Sequence, residues 1–348
     1  MVIDEVKKYA RYCIYGAQVV AYGAYMAISH LCEKKPDCFI VTNLRDNPSL
    51  IDGIPVRRLD GLAKDTLIVV GVTELLQDEV ISYLNKYKYK NITILSQHEE
   101  HILMSAYFES IGKFSILSYD AVYPPVDLVL YEVRNHRDCL LKDQPMLLKH
   151  ERPIQAGAER SDIRIADILD NKGVNISEKN KQYCEMTATY WVWKNTKHAW
   201  KGIEHYRRHL LVKPEMIKSD IDVVLPLPYI CYPNTISQLR RFVSEGVLQA
   251  LLKALKYMHP RTYSVYYEIL SGKYQYTYNM VCAKAEIFDT YCEWFFNITE
   301  YMEKLADDVP EIKNTRALSY VAEALTNLYF MSKREQLNIL HAEKKIYT

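Results

Sequence analysis

The sequence lacks any strong imbalance of charge. Its 44 lysines and arginines nearly cancel its 43 aspartates and glutamates, which leaves a formal net charge of +1 over 348 residues. A protein that wraps nucleic acid or coats an anionic membrane usually carries a clear basic excess. The composition therefore argues against nucleic acid as a partner and directs attention to local basic sites.

Long apolar runs and metal-binding cysteine patterns are also missing. The longest apolar stretches, such as L-I-V-V-G-V at 67–72, are far shorter than the roughly 18 residues that span a bilayer. The N-terminus has no apolar signal segment. None of the eight cysteines forms C-x-x-C or a zinc-ribbon spacing, so we expect reduced thiols. These absences predict a cytoplasmic protein.

The first 122 residues alternate between strand and helix patterns. Apolar runs predict strands at 12–16, 38–43, 66–72 and 91–96, with helices at about 17–33 and 74–88. Gly16 follows the first strand, but the dinucleotide fingerprint G-x-G-x-x-G is absent. The second strand ends in Thr42-Asn43, where an acidic residue would bind the ribose. We predict a small Rossmann-like, doubly wound domain over residues 1–122 that serves packing, association or small-ligand sensing.

A second α/β domain is predicted over residues 123–348, after a linker at Pro124-Pro125. Its predicted strands lie at 127–133, 200–205, 222–226 and 278–283. Its predicted helices lie at about 179–195, 236–258, 285–305 and 315–332. Turn signals mark a loop-rich segment between 134 and 180. The predicted fold class is therefore α/β with two domains.

The segment E-H-Y-R-R-H at 204–209 concentrates cationic donors at one predicted strand end. As a helix, it would place His205 and His209 one turn apart as zinc ligands, but H-E-x-x-H is absent and W-K-G-I before it is typical of a strand. As a surface segment, its charges would pair with local carboxylates. As the carboxyl end of a strand, its arginines would face the phosphate groups of a ligand. The third interpretation is favoured, and the other two stay open.

A D-x-D pattern at Asp220–Asp222 is typical of metal sites in sugar transferases. These aspartates precede a predicted strand, whereas a metal–diphosphate site needs its carboxylates after one. We interpret them as polar residues that begin the strand.

Seven segments of the second domain form a specific combination: P-I-Q-A-G-A (153–158), D-N-K-G-V-N-I-S-E-K-N (170–180), Y-C-E-M-T-A-T-Y-W-V-W-K-N (183–195), G-I-E-H-Y-R-R-H-L (202–210), D-V-V-L-P (222–226), Y-N-M-V-C-A-K-A-E-I-F-D-T-Y-C-E-W (278–294) and R-A-L-S-Y-V-A-E-A-L (316–325). Together they resemble a bacterial family of capsular and exopolysaccharide synthesis proteins, regarded as glycosyltransferases. The resemblance implies a GT-A-type domain for residues 123–348.

The resemblance also implies roles for individual residues. H-Y-R-R stands where related enzymes carry D-x-D, so His205, Arg207 and Arg208 would hold the donor diphosphate without a metal. Glu323 is the candidate catalytic base that deprotonates the acceptor hydroxyl, with an ion pair to Arg316 or a neighbour as the structural alternative. The other donor-binding positions are Gln155, Gly157, Asp170, Asn171, Asn175, Tyr190, Lys194, Asn279 and Arg316.

We therefore expect an inverting hexosyltransferase that uses a nucleotide-diphosphate donor. A UDP-hexose is the favoured donor and UDP-galactofuranose is an option. The acceptor would be a lipid-linked or oligosaccharide precursor of a capsular or exopolysaccharide, which would bring the protein to the inner face of the membrane. No metal cofactor is expected, with Mn²⁺ or Mg²⁺ as the alternative, and the sequence leaves homo-oligomer formation open. The alternative function is a non-catalytic nucleotide-sugar-binding or assembly subunit.

Overall fold

The computed structural model describes residues 1–45 and 47–348, which divide into two compact units. The first unit comprises Met1–Ser115, Tyr229–Pro233 and Thr348, and the second comprises Ile116–Pro228 and Asn234–Tyr347. Each unit is built from strands and helices around a largely parallel sheet, so the predicted α/β fold class is confirmed. Within the described ranges, no helix has both the length and the apolar character needed to cross a bilayer.

The first unit contains a sheet in the order β3-β4-β2-β1-β5-β6, in which every pair except β3–β4 is parallel. Its strands are β1 (Tyr12–Tyr15), β2 (Phe39–Ile40), β3 (Leu50–Ile51), β4 (Ile54–Arg57), β5 (Leu67–Val70) and β6 (Ile92–Ile94). Its helices are α1 (Val2–Lys8), α2 (Val19–Cys32), α3 (Glu74–Lys86) and α4 (Gln97–Ser110). The α4 helix and the β3–β4 hairpin are elements that the sequence patterns did not predict.

Helices cover both faces of this sheet, which is why β1 and β5 are buried along their whole length. Val80 and Leu84 of α3 pack against Cys13 on one face. On the other face the ring of Tyr25 in α2 lies 5.6 Å from that of Phe39. Apolar side chains on both sides of a strand give the continuous hydrophobic runs from which these strands were predicted.

Gly16 makes the turn from β1 into α2. Its φ is 121°, and a Cβ atom at this position would lie 2.6 Å from the carbonyl oxygen of Gly71. The close approach of two backbones therefore accounts for this glycine without a bound nucleotide.

The second unit is built on a larger sheet, in which the strands follow the order β10-β9-β8-β11-β16-β13-β17. From β10 to β11 the neighbours are parallel, so the carboxyl ends of these four strands meet at one edge. The β12 strand folds back on β11, and β18 pairs with β12. The strands after β6 in the chain, of which β14 belongs to the first unit, are β7 (Ser115–Ile116), β8 (Leu128–Arg134), β9 (Glu151–Gln155), β10 (Ile168–Leu169), β11 (Trp200–His205), β12 (Arg208–Leu210), β13 (Val223–Pro226), β14 (Tyr229–Ile230), β15 (Tyr274–Gln275), β16 (Val281–Lys284), β17 (Ile339–Ala342) and β18 (Lys344–Ile346).

The helices of this part of the chain are α5 (Asn180–Tyr183), α6 (Met186–Asn195), α7 (Thr235–Leu239), α8 (Glu245–Met258), α9 (Tyr263–Ser271), α10 (Ala285–Glu303), α11 (Glu311–Asn314) and α12 (Ala317–Ser332). The α10 and α12 helices pack together through aromatic side chains, with the rings of Tyr291 and Phe330 5.2 Å apart. Almost every residue of α12 is buried, and Glu323 lies on its half-buried face. The core therefore holds this carboxylate on a rigid element.

Three predicted elements differ from the structure. The helix predicted at about 179–195 is divided into α5 and α6, because Cys184 between them has a φ of 47°. The helix predicted at 236–258 is interrupted, because Ser244 begins a new helix by accepting a hydrogen bond from the backbone N–H of Val247. The strand predicted at 278–283 begins only at Val281, because Tyr278 and Asn279 both have positive φ.

The D-x-D aspartates have local partners at the amino end of β13. Asp222 forms an ion pair of 2.8 Å with Lys284 and accepts a hydrogen bond from Asn338 N. Asp220 pairs with Lys218 at 2.9 Å. These are the contacts of residues that begin a strand, as the sequence analysis expects.

Candidate active site

The β11–β12 hairpin sorts the E-H-Y-R-R-H segment onto two faces of the sheet. His205 pairs with Arg208 across the hairpin, and the turn consists of residues 206 and 207. Because side chains alternate along a strand, His205 and Arg208 share one face while Glu204 and His209 share the other. The helical interpretation is therefore wrong, and the two histidines do not form a joint zinc site.

His205 lies buried at the carboxyl edge, where its Nε2 donates a hydrogen bond of 2.5 Å to the carbonyl oxygen of Tyr278. Burial lowers the pKa of this imidazole, and the charge of Arg208 lowers it further. A neutral ring that donates through Nε2 has Nδ1 as an acceptor. Because Nε2 already has a protein partner, only Nδ1 is left for a ligand. The role of His205 in holding a diphosphate stays a prediction.

Arg208 is stacked on the ring of Tyr278, with its Cζ atom 4.4 Å from the ring centroid. Its Nε is buried and has no hydrogen-bond partner among the described residues. Stacking fixes the plane of the guanidinium group, and a buried N–H without an acceptor is energetically costly. This arginine is therefore oriented by the protein while part of its hydrogen-bonding capacity is unused. Arg207, in the turn, lies 5.8 Å from the ring of Tyr206.

Tyr278 and Asn279 connect the hairpin to the rest of the cluster. Their φ values of 69° and 52° are left-handed, which Asn tolerates and Tyr rarely adopts. This bend directs the carbonyl oxygen of Tyr278 to His205 and its ring to Arg208. The side-chain amide of Asn279 donates to Glu185 Oε1 at 2.8 Å. Consecutive strained residues are typical of functional sites.

Glu323 and Glu185 place two carboxylates beside these residues. Burial, and after it the negative charge of Glu185, raises the pKa of Glu323 to about 7. The backbone N–H of Tyr278 donates to Glu323 and, with the charges of Arg208 and Arg316, opposes this rise. Glu323 is therefore a carboxyl group that can gain and lose a proton near neutral pH.

Arg316 ends the loop before α12 and is exposed, with its Cζ atom 4.9 Å from the ring of Tyr320. Among the described residues it forms no ion pair with Glu323, and the base role of that glutamate stays a prediction. Its charge nevertheless acts on Glu323. The structure thus brings together His205, Arg208, Asn279, Arg316 and Glu323, and we call these residues, with Glu185 and Tyr278, the central cluster.

Asp170 organises a separate group of predicted residues where β9 and β10 end. It is fully buried, and its carboxylate accepts four hydrogen bonds. The donors are Gly157 N (2.8 Å), Ala158 N (2.9 Å), Ser177 Oγ (2.5 Å) and Thr187 Oγ1 (2.6 Å). Gly157 has a φ of 68°, and a Cβ there would lie 2.5 Å from the side chain of Asn180. These two residues shape the loop from inside.

The other polar residues of this loop region also have internal partners. Gln155 is fully buried; it donates to Ile163 O at 2.8 Å and accepts from Ile165 N at 3.0 Å. Asn175 accepts from Ser177 N, which is a turn contact. Asn171 donates to a glutamate, but its Oδ1 is buried without a hydrogen-bond partner among the described residues. Among Gln155, Asn171 and Asn175, only Asn171 has a buried side-chain atom without a hydrogen-bond partner among the described residues. A donor-binding role for these three residues stays a prediction.

Tyr190 and Lys194 share a face of α6, as their spacing predicts. The Lys194 Nζ lies 3.2 Å from the ring centroid of Trp193, and Tyr190 packs on Phe296 at 4.9 Å. None of these contacts includes a residue of the central cluster. The role of Tyr190 and Lys194 in donor binding stays a prediction.

Sequence reasoning missed two members of the central cluster. Tyr278 carries no pattern that marks a left-handed tyrosine, and only the following Asn279 hints at a bend. Glu185 lies in Y-C-E-M-T-A-T and follows Cys184, whose φ is 47°. No spacing in the sequence connects Glu185 to Glu323, because Glu185 lies between α5 and α6 and its position depends on how α5 packs on α12.

Part of this architecture also occurs in a solved glycosyltransferase. The chain is similar to a solved apo structure of the WbbM bifunctional glycosyltransferase, with a TM-score of 0.53 and 23% sequence identity. The similarity covers 63% of this chain and 45% of that chain, so it spans less than half of the larger protein. At this identity the likeness establishes the fold. A comparison with curated proteins gave no match.

The chain belongs to the family described as "Domain of unknown function (DUF4422)", whose profile matches residues 132–335. Every residue of the central cluster lies inside this match. The expected glycosyltransferase-like domain is therefore supported by fold, while the family description leaves the reaction to be inferred from the site.

Proposed function

We propose that this protein transfers a sugar from a nucleotide-diphosphate donor to an acceptor used in capsular or exopolysaccharide synthesis. The observation that carries the proposal is Arg208, which is stacked on Tyr278 and has a buried N–H without an acceptor, beside a carboxyl group of near-neutral pKa. Glycosyl transfer of this kind requires a cationic group that binds the diphosphate and a base that accepts the proton of the acceptor hydroxyl. They occur together within a chain that has a glycosyltransferase fold.

In this proposal Arg208 and Arg207 bind the diphosphate. The bond between the anomeric carbon and the diphosphate oxygen breaks, and the leaving group takes the electron pair. Preorganised guanidinium groups stabilise the charge that develops on this oxygen. The stack on Tyr278 keeps Arg208 in place before the donor arrives, so little orientational entropy is lost at the moment of reaction.

Glu323 is proposed as the general base. Its ionised carboxylate accepts the proton of the acceptor hydroxyl as that oxygen attacks the anomeric carbon from the face opposite the leaving group. The product is a glycosidic bond with inverted configuration, the free nucleoside diphosphate and a protonated Glu323. Glu185 and Asn279 hold the surroundings of this carboxyl group through their mutual hydrogen bond.

A UDP-hexose is the donor that we propose, with UDP-galactofuranose as a second choice. The acceptor is a lipid-linked or oligosaccharide precursor, and a lipid-linked acceptor would bring the protein to the inner face of the membrane. The arginines supply the positive charge that a divalent ion supplies in D-x-D enzymes, so we propose that donor binding needs no metal.

A thermal-shift experiment with UDP and UDP-sugars, in EDTA and in Mn²⁺, tests the donor site. We expect stabilisation that persists in EDTA, because a ligand that binds only the folded state raises its melting temperature. Arg208→Ala should abolish the shift. The matched control is Arg11→Ala, which removes an exposed arginine paired with Asp37 in the first unit. Stabilisation that requires Mn²⁺, or that survives in Arg208→Ala, would overturn the arginine site.

A turnover assay with a polysaccharide precursor tests catalysis separately. We expect release of UDP and a new glycosidic bond only when donor and acceptor are both present. Donor binding without turnover, across a panel of acceptors, would favour the non-catalytic binding subunit.

A further inference from the structure

Four ionisable side chains form a closed group on the face of the sheet opposite His205 and Arg208. Glu132 and Glu204 are neighbours in the parallel register of β8 and β11. Glu151 comes from β9 on the same face, and His209 comes from β12. Each of the four is less than a tenth exposed. We call this group the buried histidine cluster.

Each glutamate in the buried histidine cluster is anchored by one oxygen. The anchoring donors are Leu148 N for Glu151 Oε2 (2.7 Å), Leu210 N for Glu204 Oε2 (3.1 Å) and Arg134 Nε for Glu132 Oε2 (2.7 Å). In all three glutamates the other oxygen, Oε1, points to the imidazole of His209. Glu151 and Glu204 lie 3.8 and 3.6 Å from its Nδ1, and Glu132 lies 3.6 Å from its Nε2.

These distances leave polar atoms unsatisfied. A hydrogen bond between nitrogen and oxygen is about 2.7–3.2 Å long, so none of the three contacts is one. Oε1 of Glu132, Oε1 of Glu204 and Nε2 of His209 are buried without a hydrogen-bond partner among the described residues. A buried carboxylate oxygen without such a partner is unfavourable unless a cation lies beside it. The arrangement is that of ligands around a common centre.

We propose that Glu151, Glu204 and Nδ1 of His209 bind one divalent first-row metal ion such as Zn²⁺, and that Glu132 accepts a hydrogen bond from Nε2. The three ligand atoms lie within 4.8 Å of one another. Ligands bonded to one such ion at about 2.0–2.2 Å are separated by at most about 4.4 Å, so a small contraction is sufficient. Two carboxylate oxygens and one imidazole suit an ion of this class. A carboxylate on the second nitrogen is the usual way to fix a metal-binding imidazole.

The role of this ion would be structural. Its ligands come from β9, β11 and β12, so it would tie the β11–β12 hairpin to the sheet. It would lie on the opposite face from His205 and Arg208 and would not contact the donor diphosphate. The proposal therefore does not depend on the proposed function, and it is compatible with donor binding in EDTA if the buried ion exchanges slowly.

Metal analysis of the full chain tests the proposal. The protein is expressed in medium supplemented with Zn²⁺, so that the ion is present while the chain folds, and is then freed of loosely bound metal by brief dialysis against EDTA. We expect about one Zn²⁺ per chain and a lower melting temperature after prolonged chelation. No retained metal, together with no change in melting temperature, would overturn the site and leave an imidazolium among carboxylates.

Variants locate the ion. Glu151→Gln should lose it, and Glu132→Gln should weaken its affinity about ten- to hundredfold, since it removes only the partner of Nε2. The matched control is His198→Gln, which removes a half-exposed histidine paired with Asp127. Retention of the ion by Glu151→Gln at unchanged affinity would overturn the ligand set.

A spectroscopic measurement on the unmodified chain covers the case in which those variants do not fold. Co²⁺ replaces Zn²⁺ during expression, and its visible absorption reports its ligands. Bands typical of oxygen and nitrogen ligation at a closed site support the proposal. Bands typical of thiolate ligation, or of the free aqueous ion, overturn it.

Discussion

Replacing Glu323 by glutamine should remove activity and, at the same time, stabilise the protein above neutral pH. The pKa of this carboxyl group is raised from 4.5 to about 7, because the site is buried and close to Glu185. A carboxyl group whose pKa is raised on folding favours the folded state while it is protonated. Its contribution is complete below the unfolded pKa and is lost as the pH rises through about 7.

The size of this effect follows from the two pKa values. Their difference corresponds to about 3 kcal/mol of free energy of unfolding, which the ionised glutamate removes from the folded state at pH 8 or above. Glutamine has nearly the same shape and no charge, so Glu323→Gln should gain up to about 3 kcal/mol at pH 8 and little at pH 4. Denaturant unfolding at the two pH values measures the difference.

Activity should change in the opposite direction. A general base contributes about 10²- to 10⁴-fold to the rate, so kcat should fall by that factor in Glu323→Gln. In the unmodified enzyme kcat/KM should rise with pH to a plateau above about pH 7, as Glu323 ionises. A residue with only a structural role would lose stability without such a profile. Full activity in Glu323→Gln, or a loss of stability at pH 8, would refute the reasoning.

Three further substitutions test the surroundings of this site. Glu185→Gln removes a negative charge that raises the pKa of Glu323, so the acidic limb of the kcat/KM profile should move to lower pH; an unchanged limb would contradict the coupling. Tyr278→Ala removes the stack under Arg208 and should raise the donor Kd roughly 2- to 30-fold in a titration, from about 0.5–2 kcal/mol. Gly157→Ala should destabilise the protein by at least about 1 kcal/mol in thermal unfolding, because its φ of 68° disfavours a side chain and the added Cβ meets its neighbour; an unchanged Tm would contradict this.

The strands and helices that the sequence predicts correctly are those with a clear burial pattern. Residues 67–70 and 200–205 are buried along their whole length, and the apolar residues in both segments predict interior strands. The α10 helix was predicted for the same reason, since one of its faces is apolar over five turns. By contrast, the break between α7 and α8 depends on a single capping serine within a pattern that is helical on both sides.

The residue pattern by itself predicted site residues in one hairpin, whereas Asn279, Arg316 and Glu323 were predicted from the family resemblance. His205 and Arg208 come from one hairpin, and the strand pattern placed both at the carboxyl edge. Glu185 reaches the same place from the residue before α6, and Tyr278 from the bend before β16, through packing that leaves no periodic signal in the sequence. Asp170 shows the role of internal contacts in a polar loop. Its four accepted hydrogen bonds all come from the protein, and its role in donor binding stays a prediction.

The density of charge in E-H-Y-R-R-H follows from the alternation of side chains in the hairpin. A two-residue turn makes His205 and Arg208 opposite neighbours on one face, and this places Glu204 and His209 opposite each other on the other face. His205 and Arg208, the outer pair, face the donor site that we propose. Glu204 and His209, the inner pair, join Glu132 and Glu151 in the buried histidine cluster. Each residue of the inner pair is adjacent in the chain to a residue of the outer pair. A substitution of Glu204 or His209 would therefore shift His205 or Arg208 through the shared backbone. Loss of the inner cation, whether imidazolium or metal ion, should loosen the turn that carries Arg207 and Arg208 and weaken donor binding without touching the donor.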